Sequence, residues 1–192
     1  TAQEHSLNYY LDRGKVFLFE SLMKNQTFRD QWINRMCDYL NKGFKAENVT
    51  SLVNQITSRI EIEVMRDRER WQDSMLYIQK GERIKWIKDY AVQRPQFIRA
   101  HIIDYFELEN GISDIQVIQN VNMGHVKINS LEIQDSFWTG KYIENIPIQI
   151  EAIPNKGYVF EKWKSQRLPQ KPIIKVKTKK NKKFIPIFKK MK

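Results

Sequence analysis

The apolar positions change period once along the chain, and that change divides it near residue 110. Before it, they recur every three to four residues, as on one face of a helix. Phe28, Trp32, Ile33, Met36 and Leu40 make one such face. Thr27 is placed to cap this helix, Asp30 lies early against its dipole, and Gly43 is placed to end it in the left-handed conformation. Val49, Leu52, Val53, Ile56 and Ile60 keep the same period up to Val64 or Met65, and the mixed-charge run Arg66-Asp67-Arg68-Glu69-Arg70 follows. A third set, Ile84, Ile87, Tyr90 and Ala91, is expected to stop at Arg94-Pro95, because proline disfavours helical geometry in the residue before it. A closing helix then carries Phe97, Ile98, Ile102, Tyr105 and Phe106, and ends between Glu107 and Gly111.

From Ser113 the period is two, the signature of strands with one buried face. Ile115 and Val117 alternate, as do Val126 and Ile128, and Leu131 and Ile133. The clearest run is Ile146, Ile148, Ile150 and Ala152, with Pro, Gln and Glu between. Asn155-Lys156-Gly157 supplies a turn, since Gly accepts positive φ. Tyr158 and Phe160 restart the alternation, and Ile174, Val176, Phe184 and Phe188 extend it around Asn181. The fold class is therefore α+β in two parts: helices over 1–110, then a small antiparallel sandwich-like β module over 111–192. Phe160 is expected to point inward with Ile148 and Ile150.

Charge sharpens the division. Residues 1–110 carry 17 Lys/Arg against 16 Asp/Glu, while residues 111–192 carry 16 against 6. No acid follows Glu161, and 13 Lys/Arg do. In the stretch from Lys171 to Lys192, lysines alternate with apolar residues, which suits an edge strand with a charged outer face. The same pattern offers a cationic surface, with Lys175, Lys177, Lys179, Lys180, Lys182 and Lys183 as its candidate residues. An anionic polymer or glycan at a cell surface would fit it. Nucleic acid is the weakest of the anionic partners, because no recognised binding motif accompanies the charge.

Other chemistry is sparse. The single cysteine, Cys37, excludes an internal disulfide and reads as a small buried apolar residue beside Ile33, Met36 and Leu40. His5, His101 and His125 are far apart in sequence, and a structural role suits His101 best. Trp138 and Trp163 bracket the predicted hairpin. They serve either as its core or as a sugar-stacking platform. No apolar run is long enough for a transmembrane helix. The first residues do not resemble a signal peptide, and the chain is read as starting mid-sequence.

Several of these residues resemble the C-terminal end of the CotH family, the spore-coat and invasin-type atypical kinases. They include Leu22, Asn25, Phe28-Arg29, Ile33-Asn34-Arg35, Asp38, Trp71 after a long helix, and Arg94-Pro95 before the closing Tyr105-Phe106-Glu107-Leu108. The blocks Gly124-His125-Val126-Lys127-Ile128-Asn129, Trp138-Thr139-Gly140-Lys141-Tyr142 and Gly157 to Trp163 look like the module that often follows the kinase region in bacterial members. The resemblance implies a parent kinase using ATP and magnesium, exported to the surface or envelope of a bacterium. Its metal-binding Asp-x-Asp motif precedes the helices seen here, and no Asp-x-Asp occurs in this chain. Asp67-Arg68-Glu69 is the nearest approach, and its arginine neighbours mark a solvated helix face. The chain is therefore expected to have no catalytic residues, no metal site and no cofactor of its own. Its partner would be the N-terminal catalytic core of the parent. The alternative is a non-catalytic adhesion module acting through the basic β part.

Overall fold

The computed structural model describes residues 1–5, 7, 17–71, 74–109, 111–177 and 179–191, without the side chains of residues 68 and 74–80. Among the described residues, four helices come first: α1 (Phe17–Met23), α2 (Gln26–Asn41), α3 (Ala46–Trp71) and α4 (Ser74–Tyr105). Nine strands follow: β1 (Ile112–Ile118), β2 (Gly124–Ile128), β3 (Leu131–Ile133), β4 (Phe137–Ile143), β5 (Pro147–Pro154), β6 (Tyr158–Trp163), β7 (Ile173–Lys177), β8 (Lys182–Phe184) and β9 (Pro186–Lys190). The α+β layout in two parts is the one the change of period implies.

The strands form three sheets, ordered β4-β1-β8, β3-β2-β5-β7 and β6-β9. Pairing is antiparallel except between β1 and β8, which run parallel. Alternation sets the buried face as expected: Ile115, Val117, Val126, Ile128, Ile148, Ile150 and Phe184 are fully buried. Phe160 is only partly buried, packed at the margin of the core. It pairs with Phe188, and the register shifts between Phe160 and Lys162, so strict alternation fails on β6. Gly157 has φ 87°, the turn geometry its position demands. Gly124 is glycine for another reason. A Cβ there would lie 2.6 Å from the Ile153 carbonyl oxygen and 2.7 Å from the Phe188 ring.

Local signals misplaced three details of the helices. The N-cap of α2 is Asn25, whose side chain accepts from the Phe28 N–H at 3.0 Å, two residues before Thr27. Gly43 does not take the left-handed conformation; α2 ends through Lys42, whose N–H donates to the Tyr39 carbonyl. Most consequentially, α4 runs straight through Pro95, where a boundary was expected. Proline removes one helical hydrogen bond. Tertiary contacts hold both sides of it: Ile98 and Ile102 pack on the core, Arg99 donates to the Asn41 side-chain oxygen of α2 at 2.9 Å, and Arg94 donates to the carbonyls of Ala2 and Glu4.

The core is continuous across both parts. Ile33, Cys37 and Ile102 from α2 and α4 join the β-module residues in one buried cluster. Cys37 is the small apolar residue expected, and burial pushes its thiol up from 9.0 to about 11. The folded state thus keeps the proton while the unfolded chain releases it. Stability that is complete below pH 9.0 should fall by about 2–3 kcal/mol as pH climbs to about 11. Denaturation midpoints across that range should fall less steeply for Cys37→Ala, which starts lower but has no thiol to ionise. Equal slopes would show that the thiol does not report folding.

Candidate functional site

Helix α2 carries a polar stripe beside its apolar one. Asn34, Asp38 and Asn41 are spaced four and three residues apart, so they share one face, and all three are buried. Each reaches backbone or side chains of the β module. Asn34 donates to the Pro147 carbonyl at 2.8 Å. Asp38 accepts from the Ser130 N–H at 3.0 Å, the Ser130 hydroxyl at 2.5 Å and the Tyr142 phenol at 2.7 Å. Asn41 donates to the Lys141 carbonyl at 3.0 Å and accepts from the Lys141 N–H at 2.9 Å. The Asn41 carbonyl oxygen also accepts from Arg99 at 2.9 Å, which brings α4 into the same seam.

Burial dominates the electrostatics of the seam. It raises the Tyr142 phenol well above its usual value, with the Asp38 carboxylate adding to the effect. It also holds the Arg99 guanidinium below its usual range. Hydrogen bonds to an ionised acceptor are the strong kind, and Asp38 receives three. The seam escapes a search for catalytic motifs because its partners lie far apart in sequence. Its sequence signal was a polar residue at each of positions 34, 38 and 41, with helical spacing, next to an apolar face.

One open cleft of about 320 Å³ lies along this seam, between α2 and residues of β5, β7 and the β2–β3 turn. Of the six candidate lysines, only Lys175 lines it. The six do not form one face. Lys175 and Lys177 point outward from β7, an edge strand of the four-stranded sheet, whereas Lys182 and Lys183 belong to β8, an edge strand of the three-stranded sheet. On β8, Lys182 shares the side of buried Phe184, and Lys183 takes the opposite side. Lys179 and Lys180 are exposed between the two strands, with the Lys180 N–H donating to Glu144. Lysines therefore mark the edges of two sheets, where they discourage strand addition.

Trp138 and Trp163 are core residues in this fold. Trp163 is 1% exposed, its ring meets Phe184 edge-on, and its Nε1 donates to the Lys171 carbonyl at 2.8 Å. The Trp138 ring lies against Gly140, leaving no room there for a Cβ. Neither indole offers the open face that stacking on a sugar needs. His101 is buried and stacks on His5 at 4.2 Å, while His5 Nε2 lies 3.2 Å from Asp104; desolvation, first, holds His101 below its usual value. Among the described residues no group of three His, Cys, Asp or Glu is arranged to hold a metal, and no helix is long and apolar enough to cross a membrane. Asp67 and Glu69 are exposed on α3, where Arg66 pairs with Glu63 at 2.7 Å.

Helices α3 and α4 pack on each other as a hairpin. Their outer faces leave apolar residues in solvent: Leu52, Ile56 and Ile60 on α3 are about half exposed, at 56%, 50% and 45%, and Trp86 and Val92 on α4 are more so.

A model of the CotH kinase protein family matches residues 2–98, which takes in all of α1, α2 and α3 and most of α4. No curated protein and no solved structure matches the chain.

Proposed function

The chain belongs to the CotH kinase protein family, and from that premise we propose that these residues form a non-catalytic, C-terminal part of an exported bacterial CotH-like protein kinase. The helices support a catalytic core, and that core carries the ATP and magnesium groups. One observation carries the proposal. The exposed row Leu52, Ile56 and Ile60 repeats every fourth residue along α3, inside the stretch the family model matches. Isolated exposed apolar residues are ordinary, whereas a contiguous row marks a surface that another body covers. The catalytic core is the occupant this family membership supplies. The seam then fixes the β module rigidly to that support.

Two measurements test this. Calorimetry on residues 1–192 should detect no magnesium-dependent ATP binding at physiological nucleotide concentration. The catalytic segment of the parent, supplied separately, should bind the chain, and the triple variant Leu52→Glu, Ile56→Glu, Ile60→Glu should abolish that complex while leaving the melting temperature within a few degrees. Micromolar ATP binding by the chain alone would overturn the proposal, as would a complex indifferent to the triple variant.

A second reading rests on the lysines of β7 and the loop after it. Lys175, Lys177, Lys179 and Lys180 are exposed, and no acid follows Glu161. In this reading the module adheres to an anionic surface polymer. Binding to such a polymer should then fall steeply with salt, and the logarithmic slope should shrink by about 0.7–0.9 for each lysine–anion pair removed. Replacing these four lysines by Gln should flatten the slope without unfolding the module; a slope unchanged by the substitutions would leave the lysines as edge guards only.

A further inference from the structure

Residues 2–5 lie as a strap across one face of α4. Arg94, His101 and Asp104 hold them there, and their spacing of seven and three residues puts all three on that face. Arg94 donates to the carbonyls of Ala2 at 2.6 Å and Glu4 at 2.8 Å. His5 stacks on His101 with ring centroids 4.2 Å apart, and its Nε2 lies 3.2 Å from the Asp104 carboxylate. Phe97 flanks the His101 ring at 6.4 Å, and Leu7, just past the strap, packs against the core.

The contact is built for neutral imidazoles. His101 is buried, and its Nδ1 has no hydrogen-bond partner. An imidazolium donates from both nitrogens, so a charged His101 would carry a buried N–H with no acceptor, which is costly. The surrounding charges do not offset that. Burial first, then His5 on the strap and Arg94 on α4, oppose a proton on His101, while the Gln3 backbone and Asp104 favour one. Asp104 is 75% exposed, so solvent screens its contribution. Glu4, the one acid on the strap, is drawn to the Thr1 ammonium and to Arg94 instead.

The geometry points to an acid-released clasp: with His5 and His101 neutral, residues 2–5 are held on α4, and a proton taken up by the stacked pair lets them go. The sign follows from linkage. His101 is held below 6.5 in the clasped state and regains its ordinary value on release, so the released state binds more protons. The clasp is complete above pH 6.5 and weakens as pH falls below it. Residues 2–5 open the family-matched stretch and Arg94 lies near its end, so release uncouples the two ends of that stretch. The clasp consists of this chain's own residues and does not rest on the kinase role proposed above.

The test is the amide heteronuclear NOE of Gln3, Glu4 and His5 in the intact chain, followed from about pH 7.5 to about pH 5. At the higher pH the three amides should be as ordered as those of α4, and at the lower pH they should be mobile. The Val126 and Ile128 amides of the β module should stay protected from exchange throughout, which separates release from unfolding. His101→Gln has no ring to charge, so its strap should stay ordered at both ends of the range. Asp104→Asn removes the carboxylate beside His5 and should raise the midpoint of release by about 0.2–0.7 pH units. If His101→Gln fails to fold, His5→Gln carries the test: it takes the repelling ring off the strap and should move release to lower pH. A strap equally ordered at both ends of the range would overturn the inference. So would release in either Gln variant at the parent's pH, a midpoint that Asp104→Asn lowers, or loss of β-module protection together with release.

Discussion

Asp38→Ala should cost about 2–4 kcal/mol, because it leaves the buried Tyr142 phenol unpaired and takes from the Ser130 N–H and hydroxyl the acceptor they share beside the cleft. A chain of this size has only about 5–15 kcal/mol to lose, so the variant should melt far below the parent. Tyr142→Phe removes one of the three bonds to the carboxylate and should cost about 1.5–3 kcal/mol. The two changes share a partner, so the double variant should lose less than the sum of the singles. Chemical denaturation of all four proteins measures the coupling. Strict additivity would mean that Asp38 and Tyr142 do not act on each other.

Trp163→Ala should cost a similar amount, about 3–5 kcal/mol, as truncation of a large buried aromatic does. The indole also satisfies the Lys171 carbonyl at 2.8 Å, so that acceptor is exposed to water or left unpaired when the ring is removed. Trp71 is the control: it is 66% exposed at the end of α3, and Trp71→Ala should stay within about 0.5 kcal/mol of the parent. The Trp163 variant should melt on the order of 10 °C lower. Equal melting of the two variants would return Trp163 to the surface and reopen the stacking platform that its burial closes.

Residues 146–152 show how far local chemistry reaches. Period two is a property of the extended backbone, so Ile148, Ile150 and Ala152 declare their common face without help from the rest of the chain. Cys37 is similar, since its helical neighbours Ile33 and Leu40 already place it on the buried side. The change of period near residue 110 likewise marks the passage from helices to strands, and the matching motifs carried the family. Pro95 shows the limit of such rules. Its local preference against helix is a few kcal/mol at most, and the burial of Ile98 and Ile102 on the far side of it outweighs that.

What the tertiary structure alone decided is who meets whom. Asn34 finds Pro147 across 113 positions and Asp38 finds Ser130 across 92, distances over which no local periodicity carries information. The six lysines look like one cluster in the sequence, yet pairing of β7 with β5 and of β8 with β1 sends them to different sheets. Trp138 and Trp163 were open to two roles because an aromatic ring is equally at home in a core or on a ligand. Packing chose the core for both. The unpartnered amide nitrogen of Asn129 exists only because β2 and β5 are in register, which fastens its oxygen to Gln149 and leaves its nitrogen buried without an acceptor. Periodicity specifies which way each residue faces, and only the folded chain specifies what it faces.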